Sequence, residues 1–190
     1  MSDRGYSLIE VLAVVTLMVI MAAAAVPLAL NSLDRSRTAG AASYVASRLM
    51  LARLDAVKRS TFVAIQFVQK PDGYWFRTYA DGNGNGVLAR DISRGIDPPL
   101  GADERLDRQF PGVTFGICAG VTPVMPGDAF DPSDPIQIGQ SAVMSFNPNG
   151  SSTAGTLYNR GRGAPRFAGG VHGGAARART LRLRLGGSAW

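Results

Sequence analysis

Polarity along the chain changes character three times, and each change marks an element. Between Glu10 and Asp34 no charged residue occurs, and Val11–Leu33 consists mainly of Val, Leu, Met, Ile and Ala. Roughly 20 apolar residues carry a helix across the hydrocarbon core of a bilayer. The run is apolar on every side and shows no helical stripe, the pattern of a helix set in lipid or among copies of itself. It predicts a membrane-spanning half-helix over residues 6–29, in which Pro27 kinks the axis or loosens one turn.

From Arg35 to Arg59 charged residues interleave with Ala, Val and Leu. Ala42, Val45, Leu49, Ala52 and Ala56 recur at three- and four-residue spacing, which lines them up as one apolar stripe on a helix. A helix running unbroken from Tyr6 to Lys58 would be about 80 Å long, twice what a bilayer needs. Its second half, residues 30–59, must therefore cover a sheet outside the membrane.

The sheet follows in residues 60–190. "TFVAIQFVQ" and "GYWFRTYA" are rich in β-branched and aromatic residues and are separated by the turn "KPDG". Further strands are predicted in "GVTFGI", "IQIGQSAVMSFNP", "GTLY" and "TLRLRL". In the last, Leu181, Leu183 and Leu185 alternate with Thr180, Arg182 and Arg184. "FNPNGSS" reads as a turn, and 81–111 and 119–135 as long connections. The fold class is α+β, one long helix laid on antiparallel sheet.

The acid at the mouth of the apolar run is the first chemical question. A carboxylate at the lipid edge needs a partner. A cleavable secretory signal, with Arg4 as its basic part and "MAAAAVP" as its cut site, leaves Glu10 and Asp3 unexplained. "RGYSLIEVLAVVTLMVIMAAAAVP" instead resembles the N-terminus of type IV pilins and type II secretion pseudopilins. The resemblance implies a leader of residues 1–5, cut by a prepilin peptidase between Gly5 and Tyr6, with Tyr6 N-methylated. Tyr stands where Phe is usual, and Pro27 falls where such helices commonly carry proline. Glu10 would then neutralise the new, cationic N-terminus of a neighbouring subunit, two costly buried charges made tolerable as a pair.

The body resembles the GspH/FimT branch of minor pilins and pseudopilins through "ASRLMLARLDAVKRSTFVAIQF", "FRTYADGNGNGVLARDISRGID" and "MSFNPNGSSTAGTLY". What this implies is a structural subunit, not an enzyme. It would be anchored in the bacterial inner membrane with its N-terminus cytoplasmic and its β domain periplasmic, and would enter a pseudopilus or pilus with other pilin-like subunits. Some DNA-binding members carry Gly-Arg-x-Arg near the C-terminus; here the order is Arg160, Gly161, Arg162, Gly163. DNA capture by the basic C-terminal region is the alternative function, and this departure from the motif counts against it.

Charge is unevenly spread. Residues 81–134 hold four Lys/Arg against nine Asp/Glu, and residues 135–190 hold seven arginines and no acid. Those seven, Arg160, Arg162, Arg166, Arg177, Arg179, Arg182 and Arg184, could follow phosphates or meet the acidic stretch of an adjoining subunit. Aromatic residues for stacking bases are few: Tyr158, Phe167 and Trp190.

In "DGNGNGVLARD", Asp81, Asn83 and Asn85 alternate as calcium-loop ligands do, with Gly86 at the turn and a carbonyl from Val87. The closing acid should fall at Ile92, and Asp91 is one residue early. The competing reading is a turn built on Asn-Gly dipeptides. No other cofactor is suggested. The lone Cys118 lies among apolar and small neighbours and the lone His172 sits in "GGVHGG", so no catalytic dyad or triad is expected.

Overall fold

In a computed structural model of the chain the two apolar patterns join in one helix, α1 (Leu8–Arg59), which continues unbroken past Pro27. The structure describes residues 7–118, 131–138, 141–162, 167–173 and 179–184, the last two segments as backbone only. At 52 residues α1 is about 78 Å long. Ser60 ends it in the left-handed conformation (φ 53°), and Lys58 and Arg59 place positive charge at the helix's negative end.

The stripe read from spacing is the face that α1 buries. Ala41, Ala42, Val45, Leu49, Ala52 and Ala56 are all buried, and Thr38 extends the face by one turn. The small alanines let the helix lie close to the strands beneath.

Those strands form two antiparallel sheets rather than one. β1 (Val63–Lys70) and β2 (Gly73–Ala80) pair from Val63↔Ala80 to Lys70↔Gly73 around the tight turn at Pro71 and Asp72. β3 (Thr114–Phe115), β4 (Ile136–Gln137), β5 (Val143–Phe146), β6 (Gly155–Arg160), β7 (Phe167–Gly173) and β8 (Arg179–Arg184) follow. The first sheet runs β2-β1-β5; the second runs β3-β6-β7-β8, with β4 also on β6. Helix α1 packs across strands of both.

The segment "IQIGQSAVMSFNP", read as one strand, is divided between the sheets. Ile136 pairs with Leu157 on β6, whereas Met144 pairs with Ile65 on β1. Ala142, at φ 49°, marks the break. Phe115 meets Phe67 and Phe76 edge-to-face where the sheets approach, at centroid distances of 5.6 Å and 6.1 Å.

Two short helices occur in the connection 81–111, α2 (Ala89–Ser93) and α3 (Leu106–Gln109). Leu106 is buried in the main core. His172, in the Gly-rich "GGVHGG" where the sequence pattern predicts no strand, lies on β7, paired with Thr156 and Arg179.

Candidate assembly and membrane-facing site

Every residue from Leu8 to Leu33 is exposed, although nearly all are apolar. This half of α1 thus covers nothing in its own chain, and an apolar surface some 39 Å long is left for lipid or other helices. Thr16, midway along it, donates its hydroxyl to the Leu12 carbonyl at 2.8 Å, so that polar group is satisfied within the helix. Pro27 has no amide to give the carbonyl of Ala23. Glu10 sits in the first turn, and the amides of Glu10 and Val11 bond to the Ser7 carbonyl at 3.0 and 3.2 Å. Its carboxylate is at the positive end of the helix dipole, where negative charge is favoured. Gly5 and Tyr6 lie outside the described residues.

The second half of α1 carries an apolar strip not read from the sequence. Opposite the buried face, Met50 (52 % exposed), Leu51 (49 %), Leu54 (56 %) and Val57 (48 %) lie open. Met50, Leu54 and Val57 are at four- and three-residue spacing, so they line one side of the helix. The same spacing rule that found the buried stripe could have found this one.

In the 81–97 loop the acids serve the backbone. Asp81 Oδ1 accepts from the amides of Asn83 (3.0 Å) and Gly84 (2.8 Å), and its Oδ2 accepts from Gly86 (2.9 Å). Asn85 donates its side-chain amide to Asp91 Oδ2 at 3.0 Å, with that of Asn83 at 3.5 Å. Arg90 Nε stands 3.6 Å from the other Asp91 oxygen. Gly84 and Gly86 take φ of 81° and 87°, which the two Asn-Gly dipeptides permit. Among the described residues no group of three or more His, Cys, Asp or Glu is arranged to hold a metal. Val87 is buried in a small cluster with Ala64 and Val143. The residue that closes the loop, Asp97, carries no motif and was missed.

The acidic stretch is largely consumed within the chain. Glu104 accepts from the Tyr44 hydroxyl and from Arg48, both on α1. Burial raises the Tyr44 pKa, and the Glu104 carboxylate adds to the shift. Asp103 lies 3.0 Å from Arg77 Nε, too poorly aligned for a hydrogen bond, and 3.7 Å from Lys70 Nζ. Arg105 binds both Asp107 and Asp72. Asp81, Asp91 and Asp97 are buried. Among the described acids of this stretch, Asp103 and Asp131 remain exposed.

Of the seven arginines, Arg160 and Arg162 are described with their side chains and are exposed. Both are tied to the foot of the domain. Asn159 donates its side-chain amide to the Thr38 carbonyl at 2.9 Å, and the Arg162 amide bonds to Asp34 Oδ1 at 3.2 Å. Arg179, Arg182 and Arg184 lie on β8; Arg166 and Arg177 fall outside the described residues. Tyr158, one of the aromatic residues considered for base stacking, is buried. Cys118 is half-buried, and burial pushes its thiol pKa up, against the activation of a nucleophile.

The family model for the type II transport protein GspH matches residues 41–187. The chain belongs to the GspH family. A second model, the prokaryotic N-terminal methylation motif, matches residues 1–26 and so takes in Gly5, Tyr6 and Glu10. The GspH match covers the stripe of α1 and both sheets, and the methylation motif covers most of the exposed apolar half. Two solved structures of the minor pseudopilin EpsH from the type 2 secretion system of Vibrio cholerae are similar at 13% identity. One has a TM-score of 0.47, covering 80% of this chain and 99% of that one. The other has a TM-score of 0.42, covering 82% and 99%. Among curated proteins none matches.

Proposed function

We propose that this GspH-family chain is a minor pseudopilin of a type II secretion system, a structural subunit rather than a catalyst. Prepilin peptidase would cut between Gly5 and Tyr6 and methylate the Tyr6 amine. The subunit would wait in the inner membrane with its N-terminus cytoplasmic and its domain periplasmic, then join other pseudopilins through α1. Support comes from one observation above the rest. The exposed apolar half of α1 carries a single charge, Glu10, one helical turn from the new N-terminus that cutting would create.

An amine and a carboxylate removed from water are each costly alone and tolerable together, so their pairing between adjacent subunits sets register. The strip of Met50, Leu51, Leu54 and Val57 extends the apolar surface beyond the membrane, which gives the helix-to-helix contact a second patch. The DNA-capture alternative gains no specific support, since Tyr158 is buried and Arg160 and Arg162 stand at the foot of the domain.

N-terminal mass spectrometry of the membrane-extracted protein tests the processing: a chain beginning at methylated Tyr6 is expected, and one beginning at Met1 or near Ala25 refutes it. Glu10→Leu and Glu10→Gln should each cut recovery with the filament at least tenfold while leaving the amount of inserted protein unchanged. Equal recovery would end the register argument.

A further inference from the structure

The point where α1 leaves the apolar run is also where the C-terminal region returns to it. The Arg162 amide bonds to Asp34 Oδ1 at 3.2 Å, and Asn159 is held on the Thr38 carbonyl at 2.9 Å. The contact leaves no room to spare: a Cβ on Gly161 would stand 2.6 Å from both Asp34 Oδ2 and Thr38 Oγ1. Arg160 lies across Gly116 and Arg162 across Gly112, each at a separation that a Cβ there would make 2.6 and 2.7 Å. The backbone of residues 159–162 is thereby set against the helix at residues 34–38, with the exposed side chains of Arg160 and Arg162 running over the neighbouring Gly116 and Gly112. Arg35 and Arg37 bracket the same point, about 100° to one side of Asp34 and about 60° to the other by helical geometry.

The depth of this cluster follows from helix length. Val11–Leu30 supplies 20 residues, about 30 Å, the thickness of the hydrocarbon core. The headgroup layer adds about 5–7 Å, which takes the helix to Asp34. On that count Arg35 and Arg37 fall at or within one turn of the lipid phosphates, with the Arg162 amide held at the height of Asp34.

We propose that Arg35, Arg37, Arg160 and Arg162 form a collar that binds the anionic phospholipid headgroups of the leaflet on the domain side of the membrane. The collar holds the domain upright on its helix before assembly. It rests on the membrane-spanning reading of α1. The placement favours lipid over nucleic acid, because the cluster stands where the exposed apolar run ends and Tyr158, which would stack bases, is buried. Each basic residue at an acidic surface is worth roughly fivefold in binding, and the effect is screened by salt.

The test uses the full chain in nanodiscs of phosphatidylcholine alone and of phosphatidylcholine with phosphatidylglycerol. Incorporation into both checks the spanning helix; failure in both defeats that reading and the collar with it. Amide exchange over residues 112–117 and 159–162 is then compared, with 63–80 as internal reference. The expected result is exchange more than tenfold slower in acidic discs. That protection should be lost in about 0.5 M salt and in the Arg35→Gln/Arg37→Gln/Arg160→Gln/Arg162→Gln variant. Equal exchange in the two lipids overturns the proposal, as does protection that survives salt. Protection by an added DNA strand in neutral discs, with none from acidic lipid, would assign the cluster to nucleic acid instead. The lipid and salt comparisons use the unsubstituted chain, so they decide the matter even where the fourfold variant misfolds.

Discussion

Asp97 holds the amide of Leu88 at 3.0 Å with one carboxylate oxygen and the amide of Gly82 at 3.1 Å with the other. At 1 % exposure it clamps both ends of the Asn-Gly loop, between the close of β2 and the start of α2. Asp97→Ala would strand two amides in a place water scarcely reaches. The expected loss is about 2–4 kcal/mol, read as a lower urea midpoint of the full chain in detergent. Asp97→Asn keeps one acceptor oxygen and should lose about half as much.

The same geometry bears on calcium. The Asp81 oxygens already accept three backbone amides, and Asp91 takes side-chain amides from Asn85 and Asn83. A cation would have to displace those donors. For a site with a Kd near 10 μM, about 1 mM calcium would add roughly 2.7 kcal/mol of stability. The expected outcome is none: melting of the chain should be the same in EDTA and in calcium. A rise of several degrees with calcium would restore the ion-binding reading of Asp81, Asn83, Asn85 and Asp91.

Met50→Glu and Leu54→Glu probe the outer strip of α1. Both side chains are about half exposed, so replacing them should change the stability of the lone chain by no more than about 0.5 kcal/mol. A charge in the middle of a helix-to-helix contact is another matter, because it must be desolvated without a partner. Recovery with the filament should fall at least tenfold for each. Normal recovery would show that this side of the helix faces solvent after assembly.

The helix and its buried face were legible because periodicity is written locally: Val45, Leu49, Ala52 and Ala56 announce the surface they cover. The hairpin of β1 and β2 was legible for the same reason, its two runs meeting at Pro71 and Asp72. What could not be read were pairings decided by distant partners. Nothing within 136–148 says that Ile136 joins β6 while Met144 joins β1. β7, with three glycines in seven residues, lacks the β-branched signature and is a strand through its neighbours β6 and β8. At the candidate site, Glu10 stood out as a lone charge in an apolar run. Asp34 and Arg162 did not, because their contact spans 128 residues.

Arg105 connects stability to pH. Its side chain is mostly buried, and it hydrogen-bonds Asp107, holding that carboxyl below the usual carboxylate range, with their charge attraction adding to the effect. The folded pKa therefore lies below the unfolded one of about 3.9. The resulting stability is complete above the unfolded value and is lost as pH falls through the folded one. Asp107 is about a third exposed, so water screens the pair and its worth is under about 1 kcal/mol. Asp107→Asn should accordingly lower stability by a few tenths of a kcal/mol at pH 7, about what a surface pair is worth, and the gap should close as pH falls through the folded pKa. Arg105 also lies over the Trp75 ring at 5.2 Å and reaches Asp72, so Arg105→Gln should cost more than Asp107→Asn at neutral pH. An Asp107→Asn deficit that stays the same from pH 7 to pH 2.5 would mean lost packing rather than lost charge, and would refute the assignment.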